Sequence, residues 1–439
     1  MNTPAGDAPK RLTGEDLIRL KKYLADSFSR ALETEGVPAA QRITFIQQNI
    51  SRAYEQTKLK LPEDLKNEIF KQVLAELLGY GPIQELLDDP DVSEIMVNGP
   101  RKVFIEKDGK LTKSNVVFDD DDHIQRIIDR IILPLGRRVD ADSPTVDARL
   151  PDGSRVNAVV RPVAIDGPSM TIRKFRKDKL QVEDLINFGS FTKQMVDFLE
   201  ACVKARFNIV ISGGTGSGKT TLLNVMSGFI PESERIITIE DAAELQLQQD
   251  HVMRMETKVA NADGLHAVSI RELVKNSLRM RPDRIIVGEV RGGEALDMLQ
   301  AMNTGHDGSL TTVHANTPRD AISRIETLVL MAGMDLPLKV VRQQISSAVD
   351  VIVQQTRLKD GQRKITAVTE VAGMEGDIIV LTDIFKFVPA GFSPDGQVLG
   401  DVNATGIRPN FMPRLEAAGF KLSADVFAPK ASPNPSTRR

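Results

Sequence analysis

"FNIVISGGTGSGKTTLLNVMSGFI", residues Phe207 to Ile230, is the stretch on which the fold turns. An apolar, β-branched run, "NIVIS", leads into a glycine-rich loop, and an apolar stretch at helical spacing follows. Gly213, Gly214, Thr215, Gly216, Ser217, Gly218, Lys219, Thr220 and Thr221 fit the pattern G-x-x-x-x-G-K-[ST] in the strand-loop-helix context that gives it meaning. The glycines let the backbone curl so that its N–H groups converge on a phosphate chain. The following helix adds its N-terminal dipole. Lys219 is placed to reach the β- and γ-phosphates of a nucleotide, and the Thr220 hydroxyl to hold Mg²⁺. The implied cofactors are therefore ATP and Mg²⁺.

Outward from this loop, residues 188–388 alternate short β-rich runs with helical stretches. "FNIVISG", "RIITIED", "DRIIVGEV" and "GSLTTVHA" are the runs. Such alternation predicts a parallel sheet with helical crossovers. Nucleotide binding alone does not give hydrolysis, which needs a held metal and a positioned water. Two strands end in acids: "RIIVGEV" in Glu289, and "ITIEDAAEL" in Glu240, with Asp241 and Glu244 beyond it. Either Glu289 or Glu240 is suited to activate water, and Glu289 also to hold Mg²⁺, partly through water.

"TGHDGSLTTVHANTP", Thr304 to Pro318, carries two of the five histidines, His306 and His314. The spacing leaves open a metal site, a catalytic pair, or two histidines that support the fold. Zinc would need three or four ligands, and no cysteine lies nearby. Cys202 is the single cysteine, so no intramolecular disulfide can form and a reducing compartment fits.

The 439 residues suffice for two or three domains, and 41% hydrophobic content can build their cores. A net charge of −3 argues against a general nucleic-acid binder. The start, "MNTPAGDAPKRLTGED", has no apolar run of the kind a secretory signal needs, and no stretch approaches membrane-helix length. Residues 1–75 read as amphipathic helices. Leu17, Leu20, Leu24 and Phe28 recur at helical spacing after a capping pattern at Thr13 and Asp16, and Pro62 opens a further helix. Residues 76–180 read as an α+β domain with hairpins at Asp108-Gly109 and at Pro151-Asp152-Gly153. The acid run before His123 reads as a helix start. Residues 389–439 read as a turn-rich tail with a disordered end.

Taken together, "GGTGSGKTT", "ITIEDAAELQL", "RIIVGEVRGGEALDMLQAMNTGHDGSLTTVHANTP" and "LPDGSRVNAVV" resemble the Walker A, Asp box, Walker B with His box, and N-domain arginine region of the secretion-ATPase superfamily. These are the ring motors of type II secretion, type IV pili and type IV secretion. The likeness covers about residues 75–425. "GYGPIQELLDDPDVSEIMVNGP" and "ATGIRPNFMPRLEAAGF" are most similar to CpaF-like ATPases of tight-adherence (Tad) pili. Gly288-Glu289 stands where a Walker B strand usually ends in aspartate, which is the family's own habit.

The resemblance implies a RecA-like ATPase domain behind an α+β N-domain and an N-terminal helical bundle. It implies a homohexamer, cytoplasmic and peripheral at a bacterial inner membrane, that acts on pilus platform proteins. It touches the membrane only through partners and holds no stable nucleic acid. His306 and His314 would lie near the γ-phosphate and sense nucleotide state. Arg149, Arg155 and Arg173 would supply arginine fingers, with Arg155 and Arg173 the best matches and Arg271 and Arg279 the weaker ones. Two alternatives stay open: a type IV secretion or DNA-transfer ATPase, against which the Tad-like segments weigh, and a P-loop switch module that does not hydrolyse nucleotide.

Overall fold

The structure is a computed structural model that describes residues 16–17, 19–25, 42–107, 109–175, 180–258 and 267–429. Two compact units divide the chain between Lys177 and Asp178.

The first unit begins helically. Helices Arg42–Gln56 and Glu63–Leu78 share an apolar cluster of Leu20, Leu24, Ile46, Ile50, Tyr54, Ile69 and Val73. The expected cap at Thr13 and the apolar position Phe28 lie outside the described residues. Helix Glu63–Leu78 runs straight through the expected boundary at 75/76. Arg130 on helix Asp121–Ile132 explains why: its guanidinium donates to the carbonyls of Glu76 at 2.6 Å and Gly79 at 2.7 Å. The acid run is a helix start, as its composition suggested. Asp120 caps the helix by accepting from the His123 N–H at 2.7 Å, and Asp121 and Asp122 occupy the first turn.

A six-stranded antiparallel sheet follows. Its strands are β1 (Val92–Val97), β2 (Val103–Lys107), β3 (Lys110–Lys113), β4 (Thr145–Arg149), β5 (Arg155–Val159) and β6 (Ser169–Arg173), in the order β3-β2-β1-β6-β5-β4. Alternation sorts the two faces. Val146, Ala148, Val156, Ala158, Met170 and Ile172 join the core with Ile124, Ile127 and Ile128 of the helix. Both expected hairpins form. Gly153 turns one with φ +91°, and Lys107 pairs with Lys110 across the other, although Asp108 itself lies outside the described residues.

The second unit is built on a nine-stranded sheet. Its strands are β7 (Ile209–Gly213), β8 (Ile236–Glu240), β9 (Val252–Glu256), β10 (Arg284–Val287), β11 (Leu310–Val313), β12 (Val351–Arg357), β13 (Arg363–Glu375), β14 (Ile378–Phe392) and β15 (Val398–Ala404). The order is β15-β14-β13-β12-β7-β11-β10-β8-β9. From β12 to β9 every pairing is parallel, and from β12 to β15 every pairing is antiparallel. Strand β7 is buried at every position because both faces are covered. Ile209 and Ile211 pack into one apolar cluster and Val210 into the other.

The expected turn-rich tail is corrected here. Residues 389–404 continue β14 and form β15, and Phe411, Leu415, Val426 and Phe427 are buried in the core beside Phe198 and Phe207. The reason is burial of aromatic surface, which overrides local turn propensity. The expected disordered end, "APKASPNPSTRR" from Ala428, lies outside the described residues beyond its first two positions.

Candidate active site

The loop after β7 is held in shape by the absence of side chains. Gly216 and Gly218 have φ of +68° and +97°, where a Cβ is strained. At Gly213 a Cβ would stand 2.4 Å from the Gln355 carbonyl oxygen and 2.5 Å from Ser217 Oγ. Helix Lys219–Ser227 starts directly after the left-handed Gly218, so its first N–H groups face the loop. Lys219 Nζ donates to the Gly214 carbonyl at 3.2 Å. Burial pushes the Lys219 ammonium below its ordinary range, and the nearby Glu289 charge opposes that shift. Ser217 Oγ is buried with no hydrogen-bond partner.

Parallel pairing brings the other groups to the same edge. Ser212 of β7 is level with Val313 of β11, Thr311 of β11 with Val287 of β10, and Val287 with Ile239 of β8. Glu240, Glu289 and His314 therefore all emerge at the carboxyl ends of neighbouring strands, alongside Gly213. That edge is where open α/β sheets bind ligands.

The two acids sit in different environments. Glu240 is 3% exposed. Its Oε2 accepts from the N–H groups of Glu244 at 2.8 Å and Leu245 at 3.0 Å, while Oε1 has no partner. Burial raises its carboxyl from 4.5 to about 7, against the pull of those two donors. At Gly288 a Cβ would stand 2.9 Å from Glu240 Cγ, which accounts for glycine where an aspartate is usual. The Glu289 carboxylate is 25% exposed and pairs with Arg291 at 2.7 Å, and Arg291 also reaches Asp241 at 3.5 Å. Glu289 is thus the more accessible acid, and Arg291 links the ends of β8 and β10.

The histidines part company. His314 is exposed just beyond the end of β11. His306 precedes β11, at the opposite end of the sheet, where Ile209 N–H donates to Ser309 at 3.0 Å. At about 3.3 Å per strand residue, the run from Ser309 to His314 separates the two ends by roughly 16 Å. The expectation that His306 lies near the γ-phosphate is therefore corrected, and the two rings cannot share one ion. The turn around His306 has a packing role instead. Gly308 and Ser309 donate to Asn208 Oδ1, each at 2.9 Å, and a Cβ on Gly308 would stand 1.9 Å from the buried Arg284 guanidinium.

In the first unit the three arginines form one row. Arg149 is level with Arg155, and Arg155 with Arg173, across β4, β5 and β6, and Glu94 of β1 continues the row. Residues directly opposite share a face, so the three guanidinium groups stand side by side, with the Glu94 carboxylate next in the row. Arg271 is committed elsewhere, donating to the buried Asp297 at 2.7 Å, a carboxylate that Lys275 of the same helix also reaches at 3.5 Å.

Arg291 and Asn316 were not singled out by the sequence reading. Arg291 had a local sign, two residues after Glu289. Asn316 Oδ1 comes to 4.0 Å from a Cβ position on Gly214. The β12–β13 hairpin, whose Arg363 Nε donates to the Gly216 carbonyl at 2.9 Å, had none, because it lies 147 residues away.

Residues 76–373 match the family model described as Type II/IV secretion system protein. The chain belongs to this family. A putative conjugal transfer protein of Mycobacterium tuberculosis is 35% identical over 333 residues, covering 74% of this chain and 94% of the relative. The conjugal transfer protein TrbB of Rhizobium radiobacter is 35% identical, over 66% of this chain and 86% of its own. The type IV secretion system protein VirB11 of Bartonella quintana is 34% identical, over 69% and 94%. The chain is an ATPase of the type II/IV secretion family. No helix among the described residues is long and apolar enough to cross a membrane.

Proposed function

We propose that this protein is the Mg²⁺-dependent ATPase motor of a type IV secretion or conjugal-transfer apparatus. The observation that carries hydrolysis is Glu289 beyond the β10 tip, at the same carboxyl edge of the sheet as the phosphate loop, where its charge opposes the fall of the Lys219 ammonium. The relatives' names carry the transport assignment: they are conjugal-transfer and type IV secretion proteins. They weigh toward that alternative over the tight-adherence pilus suggested by the segments near Gly79 and Ala404.

The residues fit a nucleotide triphosphate with Mg²⁺. The loop offers glycine N–H groups, with a Cβ clashing at Gly213 and strained at Gly216 and Gly218, a buried hydroxyl on Ser217 without a partner, and a lysine whose carbonyl contact a phosphate can replace. Lys219 and the 214–219 N–H groups hold the phosphates. Thr220 and Glu289 would hold Mg²⁺, the latter partly through water. When bound, the ion neutralises charge on the β- and γ-oxygens. Glu289, released by Arg291, takes the proton of the attacking water. Glu240 keeps the 241–245 loop in place through its two backbone contacts. His314 hydrogen-bonds at the γ-phosphate end, where an imidazole that both donates and accepts reports nucleotide state.

A cation from outside the phosphate loop completes the site, and such fingers contribute roughly 10³–10⁵ in rate in P-loop enzymes. The Arg149–Arg155–Arg173 row supplies it. In a homohexameric ring with head-to-tail interfaces, at least one of these arginines crosses to a neighbour. The ring acts from the cytoplasmic face of the inner membrane on membrane components of the apparatus.

The test is the Lys219→Ala chain in its native cell. It abolishes DNA or protein transfer to a recipient. Loss of surface filaments with transfer intact would overturn the transfer assignment in favour of the pilus.

A further inference from the structure

The phosphate loop is flanked on two sides. On the β11 side lie His314, Glu289 and Glu240. On the other side β12 is the direct neighbour of β7, and its hairpin with β13 carries Gln355, Arg357 and Arg363. Gln355 is level with Gly213 in the ladder. Arg363 Nε donates to the Gly216 carbonyl at 2.9 Å, and its Cδ would stand 3.3 Å from a Cβ on Gly218. One guanidinium nitrogen of Arg357 lies 3.7 Å from the Cβ position of Gly216. Arg357 and Arg363 are also directly opposite one another in the antiparallel ladder.

Like charges directly opposite across a ladder repel one another. Among the described residues no carboxylate forms an ion pair with Arg357, which is exposed at the crest of the loop. The fold thus spends a cross-strand arginine pair on the rim of a phosphate-binding loop. Drawing the Gly216 carbonyl outward to Arg363 also turns the neighbouring N–H groups toward the cradle.

We propose that Arg357 is a nucleotide-binding residue supplied in cis, and that Arg363 is a positioning residue for the loop. Their place on the flank opposite Glu289 assigns Arg357 to the α/β-phosphate side of the nucleotide, away from the phosphoryl group that is transferred. This rests on the nucleotide reading above and adds a second source of positive charge, within the same subunit as the phosphate loop and separate from the arginine row of the first unit. A contact to phosphates that do not react binds ground state and transition state alike, so its loss raises KM and leaves kcat in place.

The experiment compares full-length wild type with Arg357→Gln, Arg357→Lys and Arg363→Gln, using fluorescent ADP binding and steady-state ATP turnover. Arg357→Gln raises the Kd for ADP and the KM for ATP by about tenfold each, with kcat within twofold of wild type. Arg357→Lys, which keeps the charge, recovers most of the affinity. Arg363→Gln weakens ADP binding and lowers kcat as well, because the loop loses its orientation. If wild type binds ADP and Arg357→Gln binds it equally well, the inference is wrong and the nucleotide reading stands. A fall in kcat for Arg357→Gln at unchanged KM would also overturn it, since Arg357 would then act at the transferred phosphate. If wild type itself binds no ADP, the nucleotide reading fails and this inference fails with it.

Discussion

Replacing Glu240 with glutamine should stabilise the protein above neutral pH and do little below pH 5. The Glu240 carboxyl is 3% exposed, with Oε2 tied to two backbone N–H groups and Oε1 unpartnered. Burial lifts its pKa from 4.5 to about 7. Because the folded-state value lies above the unfolded one, stability attached to this group is fully present below about pH 4.5 and is lost as the pH rises through about 7. At about 1.4 kcal/mol per pH unit, the interval from 4.5 to about 7 bounds the loss at roughly 3 to 4 kcal/mol. Glutamine keeps an acceptor for Glu244 and Leu245 and cannot ionise. The assay is urea unfolding of wild type and Glu240→Gln from pH 5 to pH 8.5. The variant's advantage should grow across that range and level off above pH 8. Parallel profiles, or a variant weaker by a constant amount, would refute the burial argument.

Other outcomes follow from the same geometry. His314→Ala should keep ADP binding and lose at least tenfold in kcat, whereas His306→Ala should keep kcat within about twofold; equal effects on turnover would contradict their placement at opposite ends of β11. Gly308→Ala forces a Cβ to 1.9 Å from the Arg284 guanidinium at a φ of +84°, so it should cost about 3 kcal/mol in urea unfolding. Turnover of the folded variant should be near wild type, since the site lies at the other end of the sheet.

The parallel half of the large sheet was legible because its strands are buried on both faces. "NIVIS", "RIITIE" and "RIIV" are runs of β-branched residues that no exposed segment would carry. The antiparallel extension was not. Its pairings, such as Phe385 with Ala404, join residues with no local relation, and Pro389, Gly391, Gly396 and Gly400 give the segment the look of turns. The ladder absorbs them by shifting register between Pro389 and Gly391. The histidines show the same limit from the other side. His306 and His314 are close in sequence, but a whole strand, Leu310–Val313, lies between them and carries them to opposite ends. The phosphate loop itself is local chemistry, so its residues were readable from the motif. The β12–β13 arginines reach it only through tertiary pairing.

The most direct test of the account is steady-state ATP turnover by purified full-length protein with Mg²⁺, compared with Glu289→Gln and with nucleotide binding measured in parallel. Wild type should hydrolyse ATP, and Glu289→Gln should bind ATP with near wild-type affinity and turn over at least a hundredfold more slowly. Turnover by Glu289→Gln at the wild-type rate would contradict the assignment of the β10 tip as the catalytic edge.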